Sequence, residues 1–531
     1  MKRSPILLFC FLLISHFLQA QEVGSDTSKT VEILEPTQRQ RLLRLPDGTN
    51  LQILAGTVAV RQGTTLVYCD SLVVNSVTKV AEAFGNVRIV DDTVQIRSGY
   101  LRYLLDRRYA YLEKGVRLTD GQGVLTTPSL EYDVNTKIAT YNNGGKLVSK
   151  KTVLTSRSGV YYGDTRDIFF KQNVVLKDPA YDLKTDSMFY NTETQQARFI
   201  TDTYIRDSAG RVIRTKEGTF VRGGQANFTQ RTTIEDKCLR VTGDNIISDD
   251  ISGIVQIEGN AVLVDSCQNV IILGNRIFAN KRTEAYLATK KPVMIIKQER
   301  DSIFVTADTL FTARLSDLVK VADTVKKVAK GSKVPAAKGA KPDSANRYFE
   351  AFRNVRIFSD SLQAVSDSLF YSFKDSTFRL YKDPIVWNGK NQITGDTIYL
   401  QTRNKKADRF WAFENSFVIN EVQSNIYNQV RSSRMNGFFT AGNIDSLQAK
   451  GFAETVYYLQ DNDSAFTGVN QTTSDAMDVY FAGGDLQRVV YRRSVKGTLW
   501  PLSQKRPEDL LLKGFQWLDK RRPKSKYELL E

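Results

Sequence analysis

Apolar and polar residues alternate along most of this chain in short runs, and the runs recur at a fixed distance. In the stretch SLEYDVNTKIATY (129–141), Leu130, Tyr132 and Val134 alternate with polar neighbours; NTK follows, and alternation resumes at Ile138. Period-two alternation rich in Val, Ile, Thr, Tyr and Phe predicts half-buried strands, and the Asn/Asp/Gly/Ser clusters between them predict tight turns. Almost nothing before residue 498 carries the 3.6-residue spacing of a long amphipathic helix.

The same template returns in CDSLVVNSVTKVAEAF (69–84), SGYLRYLLDRRYAYLE (98–113) and TDSMFYNTETQQARFI (185–200). Ala81, Ala110 and Ala139 are each 29 residues apart, and Ala197 follows 58 later. A second marker, GNV at 85–87, QNV at 172–174 and GNA at 259–261, places Asn86, Asn173 and Asn260 at 87-residue steps, three times 29. A repeat of this length that cannot bury its apolar face alone predicts stacking of unit on unit. The expected architecture is all-β: short antiparallel strands stacked in repeats of about 29 residues.

The repeat divides the chain. Residues 1–20 read as a secretory signal and 21–44 as an N-terminal lead; the clearest repeats fill 45–205, and further ones fill 206–315 and 348–497. The Lys/Ala-rich segment 316–347 has no strand pattern and is expected to be a mobile insertion. The basic tail 498–531, with a short helix expected around Pro507–Lys513, is expected to cap the last open strand edge.

Composition then sets the compartment. Lys2 and Arg3, an apolar run from Ile6 to Leu18 and the closing LQA form a cleavable export signal. Its removal takes away His16, the single histidine, and lowers the formal charge from +16 to +14. No imidazole is left for acid–base work or metal binding, and Cys69, Cys238 and Cys267 show no CxxC spacing. Neither a metal site nor a cofactor site is expected; a Cys238–Cys267 disulfide is one option for the thiols. A basic exported protein suits anionic partners, such as phosphorylated glycolipid, nucleic acid or a membrane surface.

The recurrent Asp-Ser/Thr pairs at Asp70, Asp186, Asp301, Asp308, Asp360, Asp367, Asp396 and Asp445 read as strand-entry turns, because a site would be singular. No nucleophile elbow, phosphate loop or calcium loop is present, so no catalytic residue is assigned. The apolar columns carry more information. Leu72, Leu101, Leu130, Met188 and Leu369 fall at one template position, and Val74, Tyr103, Tyr132, Tyr190 and Tyr371 two residues on. Residues two apart share a strand face, so stacked units line these up as an apolar stripe. Such a stripe is a filled core or a groove for acyl chains.

The unit AEAFGNVRI (81–89), repeated in phase behind an export signal, resembles the OstA-like/LptA lipopolysaccharide-transport family and the periplasmic N-terminal domain of LptD. The resemblance implies an elongated β-jelly roll, a β-taco, that shields lipid A acyl chains in its apolar groove and catalyses nothing. It makes the ten stripe residues the groove candidates and Arg88, Arg102 and Arg117 the phosphate contacts. It further implies a periplasmic location, with association to the outer membrane left open. The partners implied are lipopolysaccharide, an inner-membrane export complex, an outer-membrane LptD-like translocon and head-to-tail copies of the chain, with no nucleic acid. A non-enzymatic envelope scaffold or adhesin, or a polysaccharide-active β-helix, are the competing expectations.

Overall fold

A computed structural model describes residues 30–530 except 222, 298–301, 319–345, 404–405, 462, 464 and 484. The signal 1–20, Asp301 and most of the segment 316–347 lie outside the described residues. The chain is all-β, built of stacked antiparallel strands, and its contacts divide it into an N-terminal unit ending at Ile168 and a C-terminal unit starting at Phe169.

In the N-terminal unit the long strands Asn50–Gln62, Thr65–Asn75, Val80–Asp91, Val94–Leu104, Tyr109–Thr119 and Val124–Asp133 form successive hairpins. Every pairing slips near its middle, as between Phe84 and Val87 or Glu113 and Val116. The slip is a β-bulge, which bends a strand sharply. Each long strand therefore contributes one half to each of two facing arms. Arm A holds residues 50–55, 71–75, 80–84, 100–104, 109–113 and 129–133; arm B holds 58–62, 65–69, 87–91, 94–98, 116–119 and 124–127. Beyond residue 133 the strands shorten: Ile138–Tyr141 and Ser158–Tyr162 continue arm A, and Gly145–Ser149 and Thr152–Ser156 continue arm B.

The GNV marker is this corner. Gly85 and Asn86 both have positive φ (70° and 43°), a region in which glycine is at ease and Asn is tolerated. A Cβ on Gly85 would collide with the Asp70 carboxylate. Asn86 Nδ2 donates to Asp70 Oδ2 on the neighbouring strand at 3.0 Å. The clip recurs in the C-terminal unit: Asn260 donates to Asp244 (2.7 Å), Asn354 to Asp308 (3.1 Å) and Asn415 to Asp396 (3.2 Å). Asp70, Asp308 and Asp396 are thus corner clips rather than self-capping turns. Their partner is another strand's asparagine, 16 residues on for Asp70.

The Asp308–Asn354 separation is 46 residues, a 30-residue excess over the Asp70–Asn86 spacing. The extra chain leaves and returns at one point, since Leu315 N–H donates to Asn346 O at 3.1 Å. Arg347, placed in the insertion from sequence, instead opens the strand Arg347–Phe358 and is buried.

The C-terminal unit also has two arms. Arm C runs through residues 239–242, 261–265, 270–273, 293–296, 303–306, 355–358, 363–366, 385–388, 391–394, 416–423, 426–432, 453–460 and 466–474. Arm D runs through 254–258, 276–280, 285–289, 309–314, 347–352, 368–372, 377–381, 397–403, 406–413, 434–438, 443–450 and 476–482. Cys238 and Cys267, 29 residues apart at neighbouring turns, form a disulfide; Cys69 is buried and free.

The last edges are taken by Asp485–Arg492 and Lys496–Trp500, both paired with Phe466–Ala482. The tail beyond them does not follow an edge; it crosses the outer face of arm C. Three buried glutamines in one row of that face, Gln363, Gln392 and Gln429, grip it. Gln392 donates to Gln516 O (2.7 Å) and accepts from Leu518 N–H (2.7 Å); Gln429 accepts from Leu512 N–H (2.9 Å); Gln363 accepts from Arg522 (2.6 and 2.8 Å). Leu510 and Leu512 complete a core with Phe417, Ile419, Val456, Tyr458 and Val469. The tail's 3₁₀ turn, Pro507–Leu510, aims Leu510 into that core.

The Leu510→Ala variant removes a fully buried side chain, a change that costs about 2–5 kcal/mol in packed cores. Limited proteolysis is expected to cut residues 501–530 faster in this variant, while cleavage elsewhere is unchanged.

Candidate functional site

The interior of the N-terminal unit opens into an apolar pocket between the arms. It is small and partly open to solvent, with Leu72, Val74, Ala81, Leu101 and Tyr103 from arm A facing Val60 and Val67 from arm B. Four stripe residues, Leu72, Val74, Leu101 and Tyr103, meet here because strand alternation turns all of them inward. Leu130 and Tyr132 lie further along the same interior and are fully buried. Met188, Tyr190, Leu369 and Tyr371 are buried in the C-terminal unit, where Tyr371 packs against Phe349, Phe373 and Phe378.

The arm ends opposite the corner are tied across by hydrogen bonds from tyrosines. Tyr103 donates to Gln62 Oε1 (2.9 Å), Tyr132 to Asp91 Oδ2 (2.8 Å) and Tyr161 to Asp120 Oδ2 (3.3 Å). Donors and acceptors each advance by 29 residues, so one rung is added per repeat. All six residues are buried. Thr65 Oγ1 supplies a second donor to Asp91, at 3.2 Å. Burial, more than any neighbour, pushes the Tyr103 phenol up to about 12 and raises those of Tyr132 and Tyr161.

The predicted phosphate contacts do not reach this mouth. Arg88, Arg102 and Arg117 alternate with the inward residues Ile89, Leu101 and Leu118, so they point away from the interior. Arg88 stacks on Tyr68, 4.3 Å from its ring centre. The cations at the rim are others: Lys79, Arg108, Lys137 and Arg166, spaced by 29, each at the positive-φ position of an arm A end turn. Lys137 bridges the arms, 3.3 Å from Asp92 and from Asp164; Arg108 reaches Thr65 Oγ1 at 3.4 Å. Their phase was visible in the sequence. Reading these turns only as polar breaks concealed it.

Residues 30–186 match the family described as OstA-like protein. The resemblance carried by AEAFGNVRI therefore holds over that stretch. No curated protein matches the chain. Among solved structures, LptH from Pseudomonas aeruginosa, the LptA-homologous periplasmic component of a lipopolysaccharide transport device, is similar at 15% identity. The likeness covers 33% of this chain and 81% of that one, with a TM-score of 0.14.

Removing the Tyr132 hydroxyl takes one of two side-chain donors from the buried Asp91 carboxylate. The Tyr132→Phe variant is expected to lose about 1–3 kcal/mol of protection between the arms, measured by native-state hydrogen exchange over 87–133. The rungs also set an alkaline limit. A tyrosine held neutral in the folded state stabilises fully below its ordinary value near 10, and that stability is lost as pH rises through the folded value. Stability should fall between pH 10 and about 12, and Tyr103→Phe should make the fall shallower in pH-dependent melting.

Proposed function

We propose that the chain is a lipopolysaccharide-transport protein of the periplasm, passing lipid toward the outer membrane without catalysis. The observation that carries this reading is the apolar pocket between the arms, inside the stretch that matches the OstA-like family. Acyl chains lie between the arms against Leu72, Val74, Leu101 and Tyr103, and further inward against Leu130 and Tyr132. Each buried methylene contributes about 0.8 kcal/mol, so a many-chained lipid is held without directional bonds. Similar apolar columns at each repeat let it slide when an energised inner-membrane complex supplies more. The rim cations Lys79, Arg108, Lys137 and Arg166 take the lipid phosphates, and an LptD-like translocon receives the cargo. Met188, Tyr190, Leu369 and Tyr371 offer acyl chains a further apolar column within the C-terminal unit, and copies joined head to tail would add others.

A second reading, a non-enzymatic envelope scaffold, is favoured by the complete burial of Leu130, Tyr132 and Met188. The two separate on whether the arms admit lipid. A photo-crosslinking residue at position 101 should trap lipopolysaccharide in cells, and one at position 102, on the outer face, should not. Lipid trapped from 102 alone, or no lipid copurifying by mass spectrometry, would overturn the transport reading.

A further inference from the structure

The outer face of arm D in the C-terminal unit carries a line of flat side chains. Phe370, Arg379, Tyr399, Trp411, Asn436 and Gln448 are consecutive partners in register across six strands. With strands about 4.8 Å apart, the line runs roughly 24 Å. All six are partly or fully exposed. Each ends in a planar sp² group: three rings, a guanidinium and two amides.

Cations lie among the rings. The Arg379 guanidinium sits 5.6 Å from the Phe370 ring centre and 5.5 Å from that of Tyr399. In the adjoining row Arg409 lies 5.5 Å from Trp411 and 4.6 Å from Phe438. The Arg409 Nε–H and the neighbouring Asn436 Oδ1 are buried beneath this face and have no hydrogen-bond partner among the described residues. Asp375, on the turn before Arg379, pairs with its guanidinium; the acidic groups of the row itself stand at its ends, Glu350 beyond Phe370 and Asp478 beyond Gln448, where it pairs with Arg492 at 2.6 Å.

We propose that this face binds an anionic saccharide chain, with a carboxylate or a phosphate as its charge. A sugar ring has an apolar C–H face and a rim of hydroxyls. Aromatic faces carry negative quadrupole charge that attracts such C–H groups, and the exposed Gln448 amide can both donate to and accept from hydroxyls. Arg409 supplies the charge complement, joined by Arg379 where the saccharide's anion replaces Asp375 on its guanidinium; a guanidinium matches carboxylate or phosphate with paired N–H bonds. A lipid surface fits less well, because the rings are interrupted by Arg and amides at every second or third strand. Single-stranded nucleic acid needs rings that stand clear for bases. Here Tyr399 and Phe413 are packed edge-on at 5.1 Å.

Affinity electrophoresis of the mature full chain tests this, with polygalacturonate, a phosphomannan or neutral dextran in the gel. At least one acidic polysaccharide should retard the chain and dextran should not; which one identifies carboxylate or phosphate as the charge recognised. Trp411→Ala and Arg379→Gln should each weaken retardation about fivefold or more, with circular dichroism and the amount of copurifying lipid unchanged. If Trp411→Ala unfolds the chain, Trp411→Phe and Arg379→Gln carry the test. Absence of retardation by both acidic polysaccharides, or equal retardation by polyglutamate or single-stranded DNA, would overturn the proposal. The transport reading is untouched by either result, since it concerns the interior between the arms and not their outer face.

Discussion

A long strand that must serve two sheets has to turn without losing its register, and the fold depends on how it does so. At Gly85–Asn86 two successive residues enter the left-handed region, which ordinary L-residues resist by roughly 1–2 kcal/mol each. Glycine removes the cost at one position, and at the next the Asn86 amide is fixed by the Asp70 carboxylate on the strand before it. Because the clip joins neighbouring strands, a clipped corner fixes the bend of the strand beside it. The bends stack, and the two halves of every strand are held face to face. The interior, the rungs and the outer faces all follow from that alignment.

Facing arms leave a mouth, and the mouth is closed by polar groups over an apolar interior. Hydrogen bonds to charged acceptors contribute about 1.5–3 kcal/mol net, and neutral ones about 0.5–1.5. The Tyr132–Asp91 rung, at 2.8 Å, therefore holds more firmly than Tyr103–Gln62, the one nearest the pocket. Two to four methylenes, at about 0.8 kcal/mol each, match a single rung. Under the transport reading an acyl chain can thus open the arms one rung at a time, starting at the weakest. The rungs reform behind it, so closure costs the empty protein little and keeps most of the apolar interior from water.

Much of this was legible in the residues. Alternation around Leu130 and Tyr132 located the strands, and the 29-residue phase of Ala81, Ala110 and Ala139 predicted their stacking. Leu72, Leu101 and Tyr103 face inward because period two leaves no other choice. What escaped depended on partners distant in sequence or on chemistry that changes from copy to copy. Asp70 looked like a turn residue because its asparagine lies on the next strand. Lys79, Arg108, Lys137 and Arg166 alternate two residue types within segments read only as turns. Arg88, Arg102 and Arg117 were chosen for charge, whereas their parity put them outside. The resting place of the tail was hidden for a different reason: a buried glutamine such as Gln392 resembles a solvent-facing one until its main-chain partners are known.

That tail makes the two arms of the C-terminal unit unequal. On arm C the row Gln363–Trp387–Gln392–Ile419–Gln429–Val456 is sealed: Gln363 holds the Arg522 side chain, and the amides of Gln392 and Gln429 grip tail main-chain atoms, an N–H and a carbonyl together at Gln392, where no side-chain identity is required. Aromatic and aliphatic residues in that row have an evident purpose, since Leu510, Leu512 and Leu518 cover them. On arm D the corresponding outer row remains partly exposed, yet it holds Phe370, Tyr399 and Trp411. Cross-strand pairing alone contributes about 0.2–1 kcal/mol per pair and is met as well by Thr or Val. The three rings are half-buried and leave part of each ring open to water, and aromatic surface left open among polar groups marks binding surfaces. The presence of rings on arm D is therefore better explained by something that lies on them than by the stability of the sheet beneath.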